Sequence, residues 1–495
     1  MSAWNSPTPD SRDYLLLAGI LAAAYGFTLA PAYTWANRAA DAGDLITAAY
    51  TGGVPHPTGY PTYLLLARLF QYLPFGTLAL RTNLLSAVCA LLAALLVMSL
   101  ARRLSEGDPA MRRWAGWIAG LSFGLSPLLW SQAVITEVYT LHVLFVAAIL
   151  WLSTAPSAFR HGSKTGRLTF SRREPLVGLL FGLGLGNHVT LALLLPVWLF
   201  APVRQRDWHA LGRRISWVLA GASIYLTLPL RARGSSPVNW GGADTWRGFW
   251  WLVSGALYRG KLFAVAGREL LARLGVLVEM VQEQFGWVGL ALMALGVLHW
   301  RKRVWNRWAA WIAAICSLFA LFYAVEDWYL LTLPVWLVLA PAVGAGAAAA
   351  LRFAARRGRM GQIGVAVLIL LSLAWHAARV YPAVNAREDD RAVRFAAIVL
   401  SRSPQNALLL TQEDADTFAL WYYHFALGHR PDLILLHGGL LAYDWYRQRM
   451  QAHYAGLVLP ATWDCFQCAY REVLRLNRRP LCQTRPQADD PLLCW

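Results

Sequence analysis

A polytopic α-helical membrane protein of about eleven spans, with a small α/β unit at its C-terminal end, is the architecture this 495-residue sequence predicts. Three observations predict it. Apolar runs of roughly 17 residues or more recur along the chain, long enough to cross a hydrocarbon core as helices. Basic residues gather in short clusters between those runs. After Tyr381 the apolar runs stop, and charge, Asn and Pro take over.

Composition narrows the class further. The chain is 57% hydrophobic and only 15% charged, a balance that excludes an ordinary soluble domain. Many of its 25 tryptophans sit at span ends, where an amphipathic ring prefers the headgroup layer. The net charge of +18 lies in the inter-span clusters, so it reads as orientation signal and contact with anionic membrane lipids. No basic–aromatic patch of the kind that reads nucleic acid is present, which argues against such a partner. Residues 1–13 are polar and the first apolar run lacks a cleavage site, so no cleavable signal peptide is expected.

The spans fall at about 14–34, 79–101, 115–132, 137–154, 175–187, 189–202, 216–230, 286–300, 308–325, 330–351 and 362–381. With the N-terminus cytoplasmic, the loops Arg102–Arg113, Arg160–Arg173, Arg204–Arg214, Arg301–Arg307 and Arg352–Arg359 all lie inside, with 21 Lys/Arg between them. The acid-bearing loops 35–78, 133–136, 231–285 and 326–329 all lie outside, as the positive-inside rule requires.

Two segments strain the scheme. Residues 61–75 are apolar but short, carry Arg68 and close on Pro74. They read as an outer-surface or re-entrant helix, because a span there would put Arg102–Arg113 outside. Residues 175–202 are too few for two full spans and too many for one, which predicts a hairpin or broken helix with its tip at Gly186–Asn187–His188. Broken backbone at membrane depth is tolerated where it lines a cavity. The division is thus a membrane unit over 1–381 and an exterior unit over 382–495. In the latter, helix-like DDRAVRFAAIVL, strand-like ALLLT, helix-like DTFALWYYHFAL, strand-like LILLH and DWYRQRMQAHY alternate. Cys465, Cys468, Cys482 and Cys494 crowd into its end and predict one or two disulfides, with a zinc site at the CxxC as the alternative.

The densest polar chemistry is DAGDLITAAYTGGVPHPTGYP, residues 41–61, directly after the first span. Acids at a bilayer face are costly, and so point to function. Asp41 can cap a following helix and Asp44 can complement its dipole. Alternatively, one of them is a general base that takes the proton of an attacking hydroxyl. The same pair can bind Mg²⁺ or Mn²⁺, the one cofactor the sequence admits. His56 is held between Pro55 and Pro57, which fix its backbone extended beside Tyr60. Glu137, with Tyr139 one step on, begins a span at the outer face, either as a dipole partner or facing the same cavity as Asp41. Asn187 and His188 form a polar pair inside an apolar stretch, and a cavity-lining role is read for both. Arg231 and Arg233 end a span in LPLRARGSSPVNWGG, with Asn239 and Trp240 following, and Arg259 lies beyond. These arginines either snorkel to headgroups or hold a lipid-linked phosphate. Glu326–Asp327 reads as a polar connection between helices. No nucleotide-binding or zinc-protease motif is present, and an outward site has no access to cytoplasmic nucleotide-sugars, so a sugar donor must arrive on a lipid.

DAGDLITAAYTGGVPHPTGYPTYLLLARLFQYLPFGTLALRTNLLSA resembles the signature region of a family of multispanning proteins that includes the animal plexin-type protein O-mannosyltransferase and many bacterial relatives. The similarity extends through WSQAVITEVYTLHVLF, GLGLGNHVTLALL and YLTLPLRARGSSPVNWGGADTWRGFWWLVSGALY. LLLTQEDADTFALWYYHFALGHRPDLILL resembles the exterior domain of bacterial members. The resemblance implies a GT-C type glycosyltransferase with a catalytic carboxylate in the first outer loop, a polyprenyl-phosphate sugar donor and anomeric inversion. The family's leading acid falls on Asp41 and its second on Asp44. Its common Asp-Ser-Gly-Glu is here Asp41-Ala42-Gly43-Asp44, whose second acid has a shorter reach.

The function read from all this is transfer of mannose, or a related hexose, from a polyprenyl-phosphate donor to a hydroxyl, Ser/Thr of an exported protein. Asp41 is the base. Asp44, His56, Tyr60, Glu137, Tyr139, Asn187, His188, Asn239 and Trp240 shape the site, and Arg231, Arg233 and Arg259 meet the phosphate. A bacterial plasma membrane, with site and C-terminal unit outside, is the expected location. The alternatives are a lipid or glycan acceptor, a transporter or flippase, and a non-catalytic scaffold.

Overall fold

The structure, a computed structural model, describes residues 11–154, 173–299, 303–461, 466–488 and 490–495. Helix α1 (Ser11–Thr28) opens the bundle. Its fully buried Asp13 is bound by Arg113, through Nε at 2.7 Å and Nη2 at 2.6 Å, and by Arg102. Such pairing lets a carboxylate stay inside. A 3₁₀ turn, Ala36–Asp41, leads to α2 (Ala42–Thr51) and α3 (Pro61–Gln71). α3 is the short helix expected over 61–75: Pro61 starts it, and Leu65 and Leu69 remain exposed.

α4 (Leu78–Leu104) is capped by Thr77. The span expected at 115–132 is not one helix. It divides into α5 (Pro109–Gly124) and α6 (Pro127–Ala133), because Pro127 has no N–H to donate and holds Ser126 extended. After α7 (Tyr139–Ser153) comes α8 (Glu174–Leu185). The chain then turns through Gly186–His188 into a 3₁₀ segment, Val189–Leu194, and α9 (Leu195–Arg204). α10 (Trp208–Ala222) begins earlier than the expected 216 and continues through a short 3₁₀ turn into α11 (Thr227–Ala232). The loop 231–285, expected outside, is largely helical, holding α12 (Trp246–Val253) and the first half of α13 (Gly267–His299). α13 turns at Gly286 (φ 67°), a conformation glycine adopts without strain, and the expected span 286–300 starts there.

α14 (Arg303–Phe322), α15 (Leu333–Ala355) and α16 (Arg359–Val384) complete the bundle. α15 is its central helix, packed against α4, α5, α13, α14 and α16. A Cβ on Gly296 would fall 1.9 Å from the carbonyl oxygen of Ala342, and one on Gly346 1.8 Å from that of Leu292. The α13–α15 crossing therefore depends on missing side chains, as helices crossing in lipid commonly do. Among the described residues six helices are long and apolar enough to cross a membrane: α4, α10 with α11, α13, α14, Trp328–Ala355 and α16. α7, α8 and Val189–Arg204 are shorter apolar helices. The protein is a polytopic helical membrane protein, with six helices of spanning length among the described residues where the sequence predicts eleven spans.

The C-terminal unit contains α17 (Arg391–Arg402), β1 (Leu408–Thr411), α18 (Asp414–Trp421), β2 (Ile434–His437), α19 (Asp444–His453), α20 (Phe466–Asn477), β3 (Leu481–Thr484) and β4 (Leu492–Cys494). Strand order is β2-β1-β3-β4, with β1 parallel to β2 and β3, and β4 antiparallel to β3. Cys482 and Cys494 are disulfide-bonded across the β3–β4 pair. Cys465 and the side chain of Cys468 lie outside what the structure describes. This unit is strapped to the first outer loop: the Thr34 hydroxyl donates to Asp389 at 2.6 Å and the Trp35 indole to the carbonyl of Ala415 at 3.2 Å. Arg38 reaches Glu326 at 3.2 Å, which brings the 326–329 turn to the same end of the bundle.

Candidate active site

Asp41 ends the 3₁₀ turn and precedes α2, the place of a capping residue, yet its side chain makes no capping hydrogen bond. The capping alternative therefore does not describe it. The turn places two consecutive residues in the left-handed region, Asn37 (φ 53°) and Arg38 (φ 63°). Each is anchored by a side-chain bond, Asn37 to the carbonyl of Val384 at 2.9 Å and Arg38 to Glu326. Such conformations persist where surrounding contacts over-determine them. The Asp41 side chain stays 42% exposed and points its Oδ2 at His56 Nε2, 3.7 Å away.

Asp44 is oriented quite differently. It is wholly buried, and its Oδ2 accepts the backbone N–H of His56 at 2.8 Å and the ring Nδ1–H at 2.7 Å. The imidazole thus lies between two carboxylates. Burial lowers the basicity of His56, but Asp41 and Asp44 outweigh it and raise its pKa to about 9. Burial raises the Asp41 pKa, the His56 cation opposes this, and the carboxylates of Asp414, Asp327 and Asp44 add to the rise.

Aromatic rings box in this group. Tyr60 meets the His56 ring edge-on at 5.0 Å, Trp240 at 6.2 Å, and Phe418 of α18 stacks at 6.4 Å. Trp240 is placed by the backbone, its N–H donating to the carbonyl of Val54 at 3.0 Å while Val54 donates to Val238. Asn239 donates to the carbonyl of Ala232 at 2.9 Å. A Cβ on Gly43 would lie 2.0 Å from the carbonyl oxygen of Phe418, so the glycine between the two acids lets α2 touch the C-terminal unit.

A second polar group faces the same end. Glu137 is buried, its carboxylate accepting the N–H of Val138 at 3.2 Å. The Tyr139 hydroxyl donates to Asp327 at 2.7 Å. The Tyr139 ring lies 5.7 Å from that of His188, and His142 is 5.2 Å from His188. Asn187 donates to the carbonyl of Val138 at 3.1 Å, and its Oδ1 has no partner among the described residues. The turn at 186–188 therefore brings Asn187 and His188 beside Glu137 and Tyr139.

The three arginines do not form one cluster. Arg231 donates through Nε to the carbonyl of Gly53 at 2.7 Å and through Nη2 to that of Ala48 at 2.8 Å. It ties the C-terminal end of α2 to the loop that follows, and two faces of its fork are thereby committed. Arg233 is exposed in a separate cavity with Arg247 and Arg449. Arg259 is exposed on the turn Ala256–Lys261 and donates to Ser254 at 2.5 Å.

Four groups near Asp41 escaped the sequence reading or were set aside there. Asp327, taken as a connector, belongs to the acid cluster. Asp414 lies just past the C-terminal end of β1, with His437, the last residue of β2, 3.8 Å from it. Burial pushes the Asp414 pKa up, but His437 first, then His56 and Lys261, hold it below the usual value. The legible signal was that carboxyl ends of parallel strands are where α/β sheets place functional groups. As for a divalent cation, Asp44 is turned into the protein toward His56, and no three His, Cys, Asp or Glu side chains converge as metal ligands among the described residues. The described residues around Asp41 do not fit a metal centre.

The bundle, the outer-end acids and the appended unit together define a membrane protein of GT-C fold. The chain matches ArnT from Cupriavidus metallidurans bound to undecaprenyl phosphate with a TM-score of 0.61 at 14% identity, over 96% of this chain and 94% of that one. Against the apo state of the same protein the TM-score is 0.54 over the same shares. The family follows from sequence. The domain described as "Protein O-mannosyl-transferase TMEM260 N-terminal domain" matches residues 41–210, and "TMEM260-associated domain 2" matches 392–489, together more than half of the chain. Protein O-mannosyl-transferase TMEM260 of Mus musculus is 29% identical over 450 residues, 85% of this chain and 62% of the mouse protein. Its counterpart in Dictyostelium discoideum is 25% identical over 459 residues, 82% of this chain and 55% of that protein. The chain belongs to the GT-C protein O-mannosyltransferase family. It spans less than two thirds of the length of these relatives, and both are eukaryotic, so they lend no support to a bacterial host.

Proposed function

We propose that the protein is an inverting membrane glycosyltransferase that moves mannose from a polyprenyl-phosphate donor to a Ser/Thr hydroxyl of an exported polypeptide. The observation that carries this is the accessible Asp41 carboxylate facing His56, whose opposite edge is fixed by buried Asp44. In one displacement the acceptor oxygen attacks the anomeric carbon, Asp41 takes the hydroxyl proton, and the bond to phosphate breaks with its electron pair leaving on the polyprenyl phosphate. A single displacement inverts the anomeric centre. His56, as imidazolium, keeps Asp41 ionised and oriented.

Arg259 and Lys261, exposed on the turn that also carries Tyr258, meet the departing phosphate, whose negative charge grows as the bond breaks. Arg231 instead shapes the loop that carries His56. Glu137, Tyr139, Asn187 and His188 line the sugar side. Eleven spans with a cytoplasmic N-terminus place Asp41 and the C-terminal unit outside, supported by the basic loops and by the gathering of acidic loops at one end. The names of the relatives support mannose and a protein acceptor, and undecaprenyl phosphate bound to ArnT supports the lipid class.

The test is transfer of labelled mannose from polyprenyl-phosphate-mannose to a threonine peptide by the purified full-length protein. Transfer by the wild type and its loss in Asp41→Asn is the expected result. Undiminished transfer by the variant removes Asp41 as the base. Labelling of a cysteine introduced at exposed position 75 of the same loop from the cytosolic side alone would overturn the sidedness.

A further inference from the structure

Behind the Asn239–Trp240 wall, between the loop carrying α12 and helix α19 of the C-terminal unit, lies a cavity of about 790 Å³, within the size range of ligand pockets. We infer that this cavity is the acceptor subsite, which binds an extended polypeptide segment bearing an acidic side chain and presents a neighbouring hydroxyl to Asp41. The inference rests on the reading of a protein hydroxyl as the acceptor.

The cavity is built from backbone. Gly241 (φ 76°) and Gly242 (φ 59°) hold two successive left-handed conformations, and a Cβ on Gly248 would lie 2.0 Å from the carbonyl oxygen of Gly242. Side chains at these positions would close the floor or force the loop apart.

Its walls are aromatic and lead toward the catalytic acid. Trp251 lies 5.6 Å from Tyr443 and 5.9 Å from Trp445 between ring centroids. Trp445 lies 6.2 Å from Trp240, which is itself 6.2 Å from His56. These ring contacts run without a break from the cavity wall to His56, the partner of Asp41.

Its charge selects the ligand. Arg233, Arg247 and Arg449 line the cavity against Asp244 and Asp444, and Asp444 is already paired with Arg447. Guanidinium forks bind carboxylates in bidentate fashion. Asn239, more than nine-tenths buried, also lines the cavity, and its Oδ1 has no partner among the described residues. That acceptor calls for an N–H or O–H donor. A peptide supplies such donors from its backbone amides beside its carboxylate side chains.

The experiment uses the full chain in detergent and two short fluorescein-labelled peptides, one with a threonine flanked by glutamates and one with it flanked by lysines. Fluorescence anisotropy should show the glutamate peptide binding about tenfold or more tightly, the scale of one charge-assisted contact. Arg247→Glu should erase or reverse the preference, Arg247→Lys should keep much of it, and Trp445→Ala should weaken both peptides. Asp41→Asn should bind peptide as the wild type does while transferring no mannose. Equal binding of both peptides, or a preference unmoved by Arg247→Glu, overturns the inference. If the variants alter peptide binding and the wild type transfers no mannose, the peptide site stands and the transferase reading falls. If mannose is transferred and the peptide KM is unchanged in Arg247→Glu and Trp445→Ala, the transferase reading stands and the subsite falls. Capture of phosphatidylglycerol vesicles that Arg247→Glu abolishes, with no peptide bound, assigns the rim to lipid and also overturns it.

Discussion

Asp44 accepts two hydrogen bonds from His56 on a single carboxylate oxygen, 2.8 Å from the backbone nitrogen and 2.7 Å from Nδ1. Both the loop and the ring are thereby set, and Nε2 alone faces Asp41. Two acids three positions apart in sequence therefore have different surroundings. The Asp41 side chain is 42% exposed, and Asp44 is wholly buried against the histidine. A buried carboxylate that holds one edge of an imidazole ring is a recurring way to orient the other edge.

Replacing Asp41 by Asn keeps the shape of the side chain and removes its basicity. Transfer should fall by about 10²–10⁴, the usual contribution of a general base. Thermal unfolding of the purified protein should be unchanged, because Asp41 makes no capping bond. A variant that melts early would mark Asp41 as structural.

The pH profile should have two limbs. On the acid side, transfer rises with pH as Asp41 loses its proton, and the raised pKa sets this limb above the usual carboxylate range. On the alkaline side, transfer declines as the His56 imidazolium is lost near pH 9. His56→Gln removes the cation that holds the Asp41 pKa down, so its acid limb should move further up, by about one unit, and its alkaline limb should vanish. An acid limb that stays in place, or moves down, contradicts the pairing.

Gly43→Ala should act at a distance from the chemistry. A Cβ there meets backbone rather than a flexible side chain, so α18 must move. The expected cost is about 1–3 kcal/mol, read as a lower melting temperature and faster proteolysis of the C-terminal unit. Ala42→Gly, which adds no atom, is the control. Equal melting of Gly43→Ala and wild type would mean that the contact is not held in solution.

The arginines should separate by kinetic signature. Arg231→Ala leaves the carbonyl of Gly53 without its guanidinium donor and removes one of the donors to that of Ala48, which still accepts the Gly53 N–H, and should destabilise the protein by about 1–3 kcal/mol. Arg259→Ala should leave the melting temperature alone and raise the donor KM several-fold. The reverse pattern in melting and steady-state kinetics would return the phosphate to Arg231.

Much of this was legible before any coordinates. The first outer loop stood out because Asp41, Asp44 and His56 occur where a membrane helix has just ended. The interruption at Gly186–His188 followed from length alone, since the residues of 175–202 could make neither one span nor two. Strands β1 and β2 showed as short apolar runs. β3 and β4 did not, because LCQT and LLC are too short to carry a pattern. The break between α5 and α6 was missed although Pro127 announces it, since the hydropathy of 115–132 masks a local steric effect.

Hydropathy and charge act along the chain, so linear order was enough to define a multispanning helical protein, one acid-rich end and an α/β unit after the last apolar run. Division of labour is a matter of direction. Which acid is open and which is buried, whether Arg231 meets a phosphate or a carbonyl, and that Asp327 and Asp414 stand beside Asp41 depend on side-chain vectors and on contacts between segments hundreds of positions apart. Those contacts arise only when the bundle packs, because a hydrogen bond is settled over a few ångströms of space and not by sequence distance.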